Sequence, residues 1–273
     1  MSAPDSTTRL EELLTDVGSG TLLVVTGAGI SLASGIPTFR GTDPGAIWKR
    51  DVTELGTFRY FQEDPAGSWQ WYMQRFEKVL AAQPNPAHRA LVELERWQLA
   101  RGGDFLLVTQ NIDTLHEQAG SERMVKVHGS ADRVRCSRVG CRLGSPFGSI
   151  ERAACDFQSF EQDPGPATVP RCPECGAYLR QHVLWFDEVY TSHADYQWER
   201  VLGAVDRMHL ALCVGTSFAV GFTEAVLQAA FWNGATVVAL DPGEAPLRAS
   251  RGFLHLREKA EELLPAVVER LRP

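Results

Sequence analysis

The sequence predicts an α/β protein, a doubly wound parallel sheet with a second, smaller domain, and three observations lead there. Short apolar runs with little polar alternation recur along the 273 residues, as strands of a parallel sheet covered on both faces require. Amphipathic helical stretches separate those runs, and strand-then-helix units repeat as right-handed crossovers do. Two cysteine pairs, with Pro, Gly and charge around them, interrupt that rhythm and mark the smaller unit.

Taken in order, the strands fall at 22–26, 105–109, 125–128, 210–215 and 236–240, and the helices at 10–17, 68–81, 87–99, 194–208, 223–232 and 259–271. Residues 1–40, 85–130 and 182–273 are expected to form a Rossmann-like nucleotide-binding domain. Residues 41–84 are assigned to a helical part of the small domain and 131–181 to its zinc-binding module. No internal repeat and no low-complexity tract interrupts this scheme.

Composition narrows the class. Hydrophobic content of 44% and charged content of 22% are those of a soluble globular protein. No apolar run approaches eighteen residues and no charged-then-apolar leader opens the chain, so a cytoplasmic protein with no membrane partner is expected. A net charge of -7 and a pI near 5.5 argue against nucleic acid as a partner.

Cys136 and Cys141 form one pair and Cys172 and Cys175 another, about thirty residues apart. Paired thiolates on two tight knuckles suit one tetrahedral Zn²⁺ per chain, and four sulfurs fill its coordination sphere. The metal is therefore structural, since activation of water needs an open position. Gly176 relieves the turn after the second pair. Cys155 is a conceivable substitute for Cys141, and Cys213 reads as a core strand residue.

A turn, Gly27-Ala28-Gly29-Ile30-Ser31, follows the first strand, but Leu32 stands where a full dinucleotide fingerprint has its third glycine. Other signals reinforce it. Gly35-Ile36-Pro37-Thr38-Phe39-Arg40-Gly41 continues the turn, Gln110-Asn111-Ile112-Asp113 follows the second strand, and Val127-His128-Gly129-Ser130 follows the third. Gly215-Thr216-Ser217 and Asp241 end two more strands. Open α/β sheets bind ligands at such carboxyl ends, so these segments should face one crevice.

These motifs, with the cysteine pairs, occur in an order and at distances that resemble the sirtuins, the Sir2 family of NAD-dependent protein lysine deacylases, from about residue 10 to residue 271. The resemblance implies an NAD co-substrate, a structural zinc, and a cleft that takes NAD from one side and an acylated lysine of a protein or peptide from the other. His128 is then the general base, with Asn111, Asp113 and Gln110 ordering the nicotinamide ribose and carboxamide. Phe39 would cover the sugar face and Arg40 would order the cofactor loop. Gly27, Ala28, Gly29, Ser31, Ile36, Pro37, Trp48, Ile112, Gly215, Thr216, Ser217, Asp241, Pro242, Gly243 and Ala260 complete the cofactor site implied in this way. Asn111 and Asp113 also suit a helix cap, and both roles are compatible.

Substrate contacts implied by the resemblance are Val183, Trp185, Phe186 and Asp187, with Tyr72 and Arg75. The last two match a Tyr-x-x-Arg pair of sirtuins that remove succinyl and malonyl groups, and three-residue spacing puts them on one helix face. Arg supplies a planar fork for a carboxylate. Helix packing is the other reading of the pair, with deacetylation as the activity. Two positions depart from the family pattern: Asp187 stands where relatives have Gly, and Asp241 where they usually have Asn. Asp187 adds a charge near the expected acyl-lysine. A mono-ADP-ribosyltransferase or NAD hydrolase on the same scaffold is the alternative function. The oligomeric state is left open.

Overall fold

A computed structural model describes residues 5–37, 52–218, 221–243 and 252–272; Phe39, Arg40 and Trp48 lie outside the described residues. In chain order the strands are β1 (Thr21–Thr26), β2 (Asp104–Thr109), β3 (Met124–Lys126), β4 (Gly129–Cys136), β5 (Ile150–Glu151), β6 (Leu179–Val183), β7 (Met208–Val214), β8 (Thr236–Leu240) and β9 (Phe253–Leu256). The helices are α1 (Ser6–Asp16), α2 (Val52–Leu55), α3 (Phe58–Glu63), α4 (Pro65–Ala81), α5 (Pro86–Ala100), α6 (Leu115–Ala119), α7 (Gln158–Gln162), α8 (Trp198–Arg207), α9 (Gly221–Asn233) and α10 (Ala260–Leu271).

All six residues of β1 are buried. Successive side chains of a strand point to opposite faces. Leu22 and Val24 accordingly enter a core shared with α1, α5 and α10, through residues such as Leu10, Leu91 and Leu264. Leu23 and Val25 enter the opposite core, with Val201 of α8 and Val226 of α9. Each such side chain contributes about 1.5–3 kcal/mol of burial. Six parallel strands lie in the order β3-β2-β1-β7-β8-β9. Counted within this sheet alone the order is that of a dinucleotide-binding domain, with its switch point between β1 and β7.

The smaller unit is built on an antiparallel sheet ordered β5-β4-β6. Its core joins Phe61, Trp69 and Phe76 of the helical segment to Val134, Cys136 and Leu179 of this sheet. Helical and cysteine-bearing parts therefore share one interior. Among the described residues no helix is long and apolar enough to cross a membrane.

Several elements differ from the sequence reading. The third strand ends at Lys126, so His128 stands beyond it where the chain turns into β4. The helix expected over 194–208 is a 3₁₀ turn, Ala194–Tyr196, then α8, because Gln197 takes a left-handed conformation with φ 42° and the His193 side chain accepts from the Asp195 N–H. Neither β9 nor the small sheet was expected. The residues of β9 are half-buried up to Leu256, and β4 carries three charges, so neither shows the pattern of a fully covered strand.

Candidate active site

The site begins where β1 and β7 end side by side. The Gly29 N–H donates to the Gly215 carbonyl at 2.8 Å. Gly215 has φ 60°, and a Cβ there would lie 2.3 Å from the Ile30 nitrogen, while one on Gly29 would lie 2.7 Å from the Gly215 Cα. Glycine at both positions is what lets the two backbones meet. The chain then winds into a 3₁₀ helix, Ala28–Ser34. Asn85 fastens that helix to the start of α5, donating to the Ile30 carbonyl at 2.7 Å and to Ser34 Oγ at 3.0 Å.

A cavity of about 870 Å³ opens between this edge and the small domain. Gly27, Ala28, Gly29, Ser31, Ile36 and Pro37 line it from the first turn, and Gln110, Asn111, Ile112 and Asp113 from the loop after β2. His128 joins them, together with Gly215, Thr216, Ser217, Asp241, Pro242 and Ala260. From the small domain come Tyr72 and, past the boundary expected at 182, Val183 of β6 with Trp185 and Phe186 after it. Gly243 does not line the cavity; its N–H is donated to Asp241 Oδ1 at 2.8 Å and shapes the turn after β8. Glu188 and Tyr190 line it although the sequence singled out neither. No local spacing marks them, because their partners lie up to 62 residues away.

The polar groups are held in a connected array. Asn111 Nδ2 donates to the Gly27 carbonyl at 3.0 Å and to Ser31 Oγ at 3.2 Å, and Ser31 Oγ donates to Asp113 Oδ2 at 2.9 Å. The other oxygen of Asp113 accepts from the N–H of Leu115, the first residue of α6, while the N-cap itself is Thr114 and not Asn111 or Asp113. Burial raises the Asp113 carboxyl, against the pull of Leu115, Ser31 and Lys126. Gln110 Nε2 reaches Thr216 Oγ1 at 3.3 Å, bridging the ends of β2 and β7.

His128 is anchored by the Gln110 carbonyl, 2.8 Å from Nδ1. A carbonyl can only accept, so the neutral ring carries its proton on Nδ1 and leaves Nε2 unprotonated, 3.3 Å from the Tyr190 hydroxyl. Burial draws the imidazole down to about 4, partly opposed by that carbonyl. The ring is therefore neutral near pH 7, the state a base requires.

On the other wall, the Trp185 indole N–H donates to the Tyr72 hydroxyl at 2.8 Å. The Trp185 backbone N–H donates to Glu188 Oε2 at 3.0 Å, and the Arg180 guanidinium lies 3.2 Å over the indole. Arg75 does not line the cavity. Its guanidinium lies 4.1 Å over the Trp71 ring and donates to the Trp71 carbonyl at 2.6 Å. Asp187, expected near the acyl-lysine, turns elsewhere: its carboxylate accepts from the N–H groups of Phe58 and Arg59 at 2.7 and 3.1 Å, at the start of α3.

The four cysteines come together. Their sulfurs lie within 4.8 Å of one another, with Cys136 and Cys175 3.4 Å apart and Cys141 and Cys172 3.8 Å apart. Four thiolates around Zn²⁺ at 2.3 Å would be spaced by about 3.8 Å, so the donor set and its spacing fit a closed zinc site. The Ala177 N–H draws the Cys175 thiol down to about 7, toward the thiolate a metal needs. Cys155 is not in the cluster; it donates to the Glu151 carbonyl. Cys213 is buried in β7.

Fold and site together define a dinucleotide-binding α/β protein with a structural metal knuckle. The Sir2 family profile matches residues 27–221. An NAD-dependent protein deacylase of Thermus thermophilus is 42% identical over 240 residues, covering 88% of this chain and 85% of that protein. A solved Sir2 homologue in complex with NAD is similar at 34% identity and a TM-score of 0.78, covering 99% of this chain and 96% of the other. A Sir2 solved with a p53 peptide and NAD⁺ is similar at 25% identity and a TM-score of 0.77, covering 97% and 98%. The chain belongs to the Sir2 family.

Proposed function

We propose that this enzyme, an NAD-dependent protein deacylase, removes acyl groups from lysine side chains of proteins and is directed by Tyr72 and Arg75 toward acidic acyl groups, succinyl and malonyl. The observation that carries the deacylase reading is the placing of His128, with an unprotonated Nε2, on the cavity that the Gly27, Gln110–Asp113 and Gly215 segments also line. Hydroxyl, amide and carboxylate groups of Ser31, Gln110, Asn111, Asp113 and Thr216 fit the ribose hydroxyls and carboxamide of NAD, and the cavity is large enough for a dinucleotide half and an acyl-lysine.

NAD supplies the bond to nicotinamide whose loss drives acyl transfer, and with one water consumed when the amine leaves, the products are nicotinamide, free lysine and an O-acyl-ADP-ribose. Asn111 and Asp113, locked together through Ser31, fix the orientation of the ribose without rearranging when the charge develops. Nε2 of His128 takes the proton of a ribose hydroxyl, and Nδ1 keeps its own proton on the Gln110 carbonyl. Val183 and Trp185 exclude water from the acyl side, both being buried. A base that takes the proton of a ribose hydroxyl favours acyl transfer over ADP-ribosyl transfer alone. Zinc would hold Cys136, Cys141, Cys172 and Cys175 and brace the small sheet, outside the chemistry.

Acidic-acyl preference is supported by Tyr72, which lines the cavity and whose hydroxyl keeps its proton because burial raises its pKa well above the usual phenol value. Arg75 lies three residues on, along α4. The contact of Arg75 with Trp71 favours a second reading, in which the arginine is a packing residue and acetyl-lysine is the better substrate. Catalytic efficiencies for succinyl-lysine and acetyl-lysine peptides in wild type and Arg75→Met decide between them. Loss of a charged hydrogen bond should lower the succinyl value alone, by about tenfold to a hundredfold. An equal loss for both peptides refutes the acidic reading.

A further inference from the structure

Tyr190 meets the base of the reaction. It opens a 3₁₀ turn, Tyr190–Ser192, on the way from β6 back to the large sheet. Its ring lies on that of Trp198, with centroids 4.3 Å apart and planes within 10°, and Phe222 meets it edge-on at 6.5 Å. Held in this way, the phenol stacks with the His128 imidazole at 5.9 Å and 17°, and its oxygen lies 3.3 Å from Nε2. Because the Nδ1 proton is committed to the Gln110 carbonyl, the tyrosine must donate to the neutral ring. Burial lifts the phenol to about 12, so it retains that proton.

We propose that Tyr190 is a positioning residue for His128, its hydroxyl serving Nε2 in both protonation states, as donor to the neutral base and as acceptor from the imidazolium. The proposal rests on the deacylase reading, in which a ribose O–H proton moves to Nε2. Tyr190 keeps its own proton throughout. Rotation about its C–O bond first swings the phenol proton off Nε2, which frees the lone pair for the ribose O–H, and then leaves an oxygen lone pair facing the new N–H. A hydrogen bond from a charged donor is about twice as strong as a neutral one, so the tyrosine favours the imidazolium. It thereby opposes the burial that weakens this base, and a stronger base transfers the proton more readily.

Other ionisable groups on the surrounding elements are Asp113 after β2, Lys126 on the segment of His128 itself, Glu188 before Tyr190, Asp241 after β8, and Lys259 and Glu261 at the start of α10. Replacing the phenol by phenyl alters none of them and keeps the stack with Trp198. The test is Tyr190→Phe, read by NMR titration of the His128 ring, its signals assigned by their loss in His128→Ala. The His128 pKa should fall by about half a unit to one unit. In the same variant kcat should fall by about twofold to tenfold, with KM for NAD and peptide unchanged. A ring pKa that stays or rises overturns the proposal, and so does a lowered pKa with unchanged kcat. The titration needs no turnover, so a chain that fails to deacylate in its wild-type form is recognised separately by silence in the assay.

Discussion

The indole N–H of Trp185 ends on the hydroxyl of Tyr72, 2.8 Å away and 113 residues distant in the chain, with both side chains buried. That bond ties the segment after β6 to the middle of α4 and fixes the wall on which the acyl group is proposed to rest. Tyr72→Phe leaves a buried N–H without its acceptor, at a cost of about 1–3 kcal/mol. Chemical denaturation of the variant should show this as a lower midpoint at unchanged slope, and succinyl-lysine turnover should drop more than acetyl-lysine turnover. A midpoint equal to wild type shows that the bond contributes nothing in solution.

His128→Ala should fold, bind NAD and lose deacylation by about a hundredfold to ten-thousandfold, the usual range for a removed general base. The Gly27, Asn111 and Gly215 contacts that build the cofactor side do not pass through the imidazole. Calorimetry for NAD and mass detection of O-acyl-ADP-ribose read the two properties apart. Turnover near wild type excludes the base role.

Glu188 is the hub of the small domain's charged interior. Its Oε1 lies 2.8 Å from Arg135 and 2.6 Å from Arg180, both buried, and its Oε2 accepts from Trp185. The two arginines hold the carboxyl below its usual range, against the burial that would raise it. Glu188→Ala leaves two buried guanidinium groups without their counter-charge. Removing one partner of such a set costs about 3–5 kcal/mol, so the variant should lose much of its stability, measured by thermal melting. A shift of only a degree or two shows that water or the arginines' other acceptors compensate.

The same cluster explains what the sequence could and could not disclose. β1, β2, β7 and β8 were legible because strands buried on both faces are apolar along most of their length, and the ligand segments were legible because they sit at the strands' ends. β4 was not, since Arg133 and Arg135 look like solvent-facing residues until Glu188, 53 positions beyond Arg135, is brought to meet one of them. Tyr190 escaped for the same reason, being a partner of His128 only across the fold. Asp187 was legible as an unusual residue but its direction was not. Its carboxylate caps the first turn of α3, a contact between segments more than 125 residues apart.

Zinc removal should unfold the small sheet without directly touching the cleft chemistry. β4 ends on Cys136 and the turn Cys172–Cys175 leads into β6, so the four sulfurs close the far end of that sheet. With no open position, metal binding energy is folding energy. Elemental analysis should give about one zinc per chain, and chelation should lower the melting temperature together with the activity. Zinc-free protein of unchanged thermal stability refutes a structural site.

Acid should destabilise the fold through histidines buried in the neutral state. His88 and His116 lie in contact, ring centroids 4.8 Å apart, between α5 and α6. Burial draws His88 down to about 4 and His116 well below its ordinary value, and Arg89, Lys126 and the neighbouring imidazole reinforce this. Their settings suit the neutral form: Nδ1 of His88 accepts from the Asn85 N–H in the cap of α5, and Nε2 of His116 meets Thr26 Oγ1 at 3.0 Å. Below the unfolded pKa of about 6.5 the unfolded chain binds protons that the folded chain refuses. Their contribution is therefore whole above that pH and is lost as the pH falls toward 4, at up to about 1.4 kcal/mol per pH unit for each ring. Melting temperatures of wild type and His88→Gln between pH 7.5 and 4.5 isolate one ring, because zinc loss and other acid effects are common to both proteins. The variant should be less stable at pH 7.5 yet fall less steeply, and parallel curves show that His88 takes up its proton in both states alike.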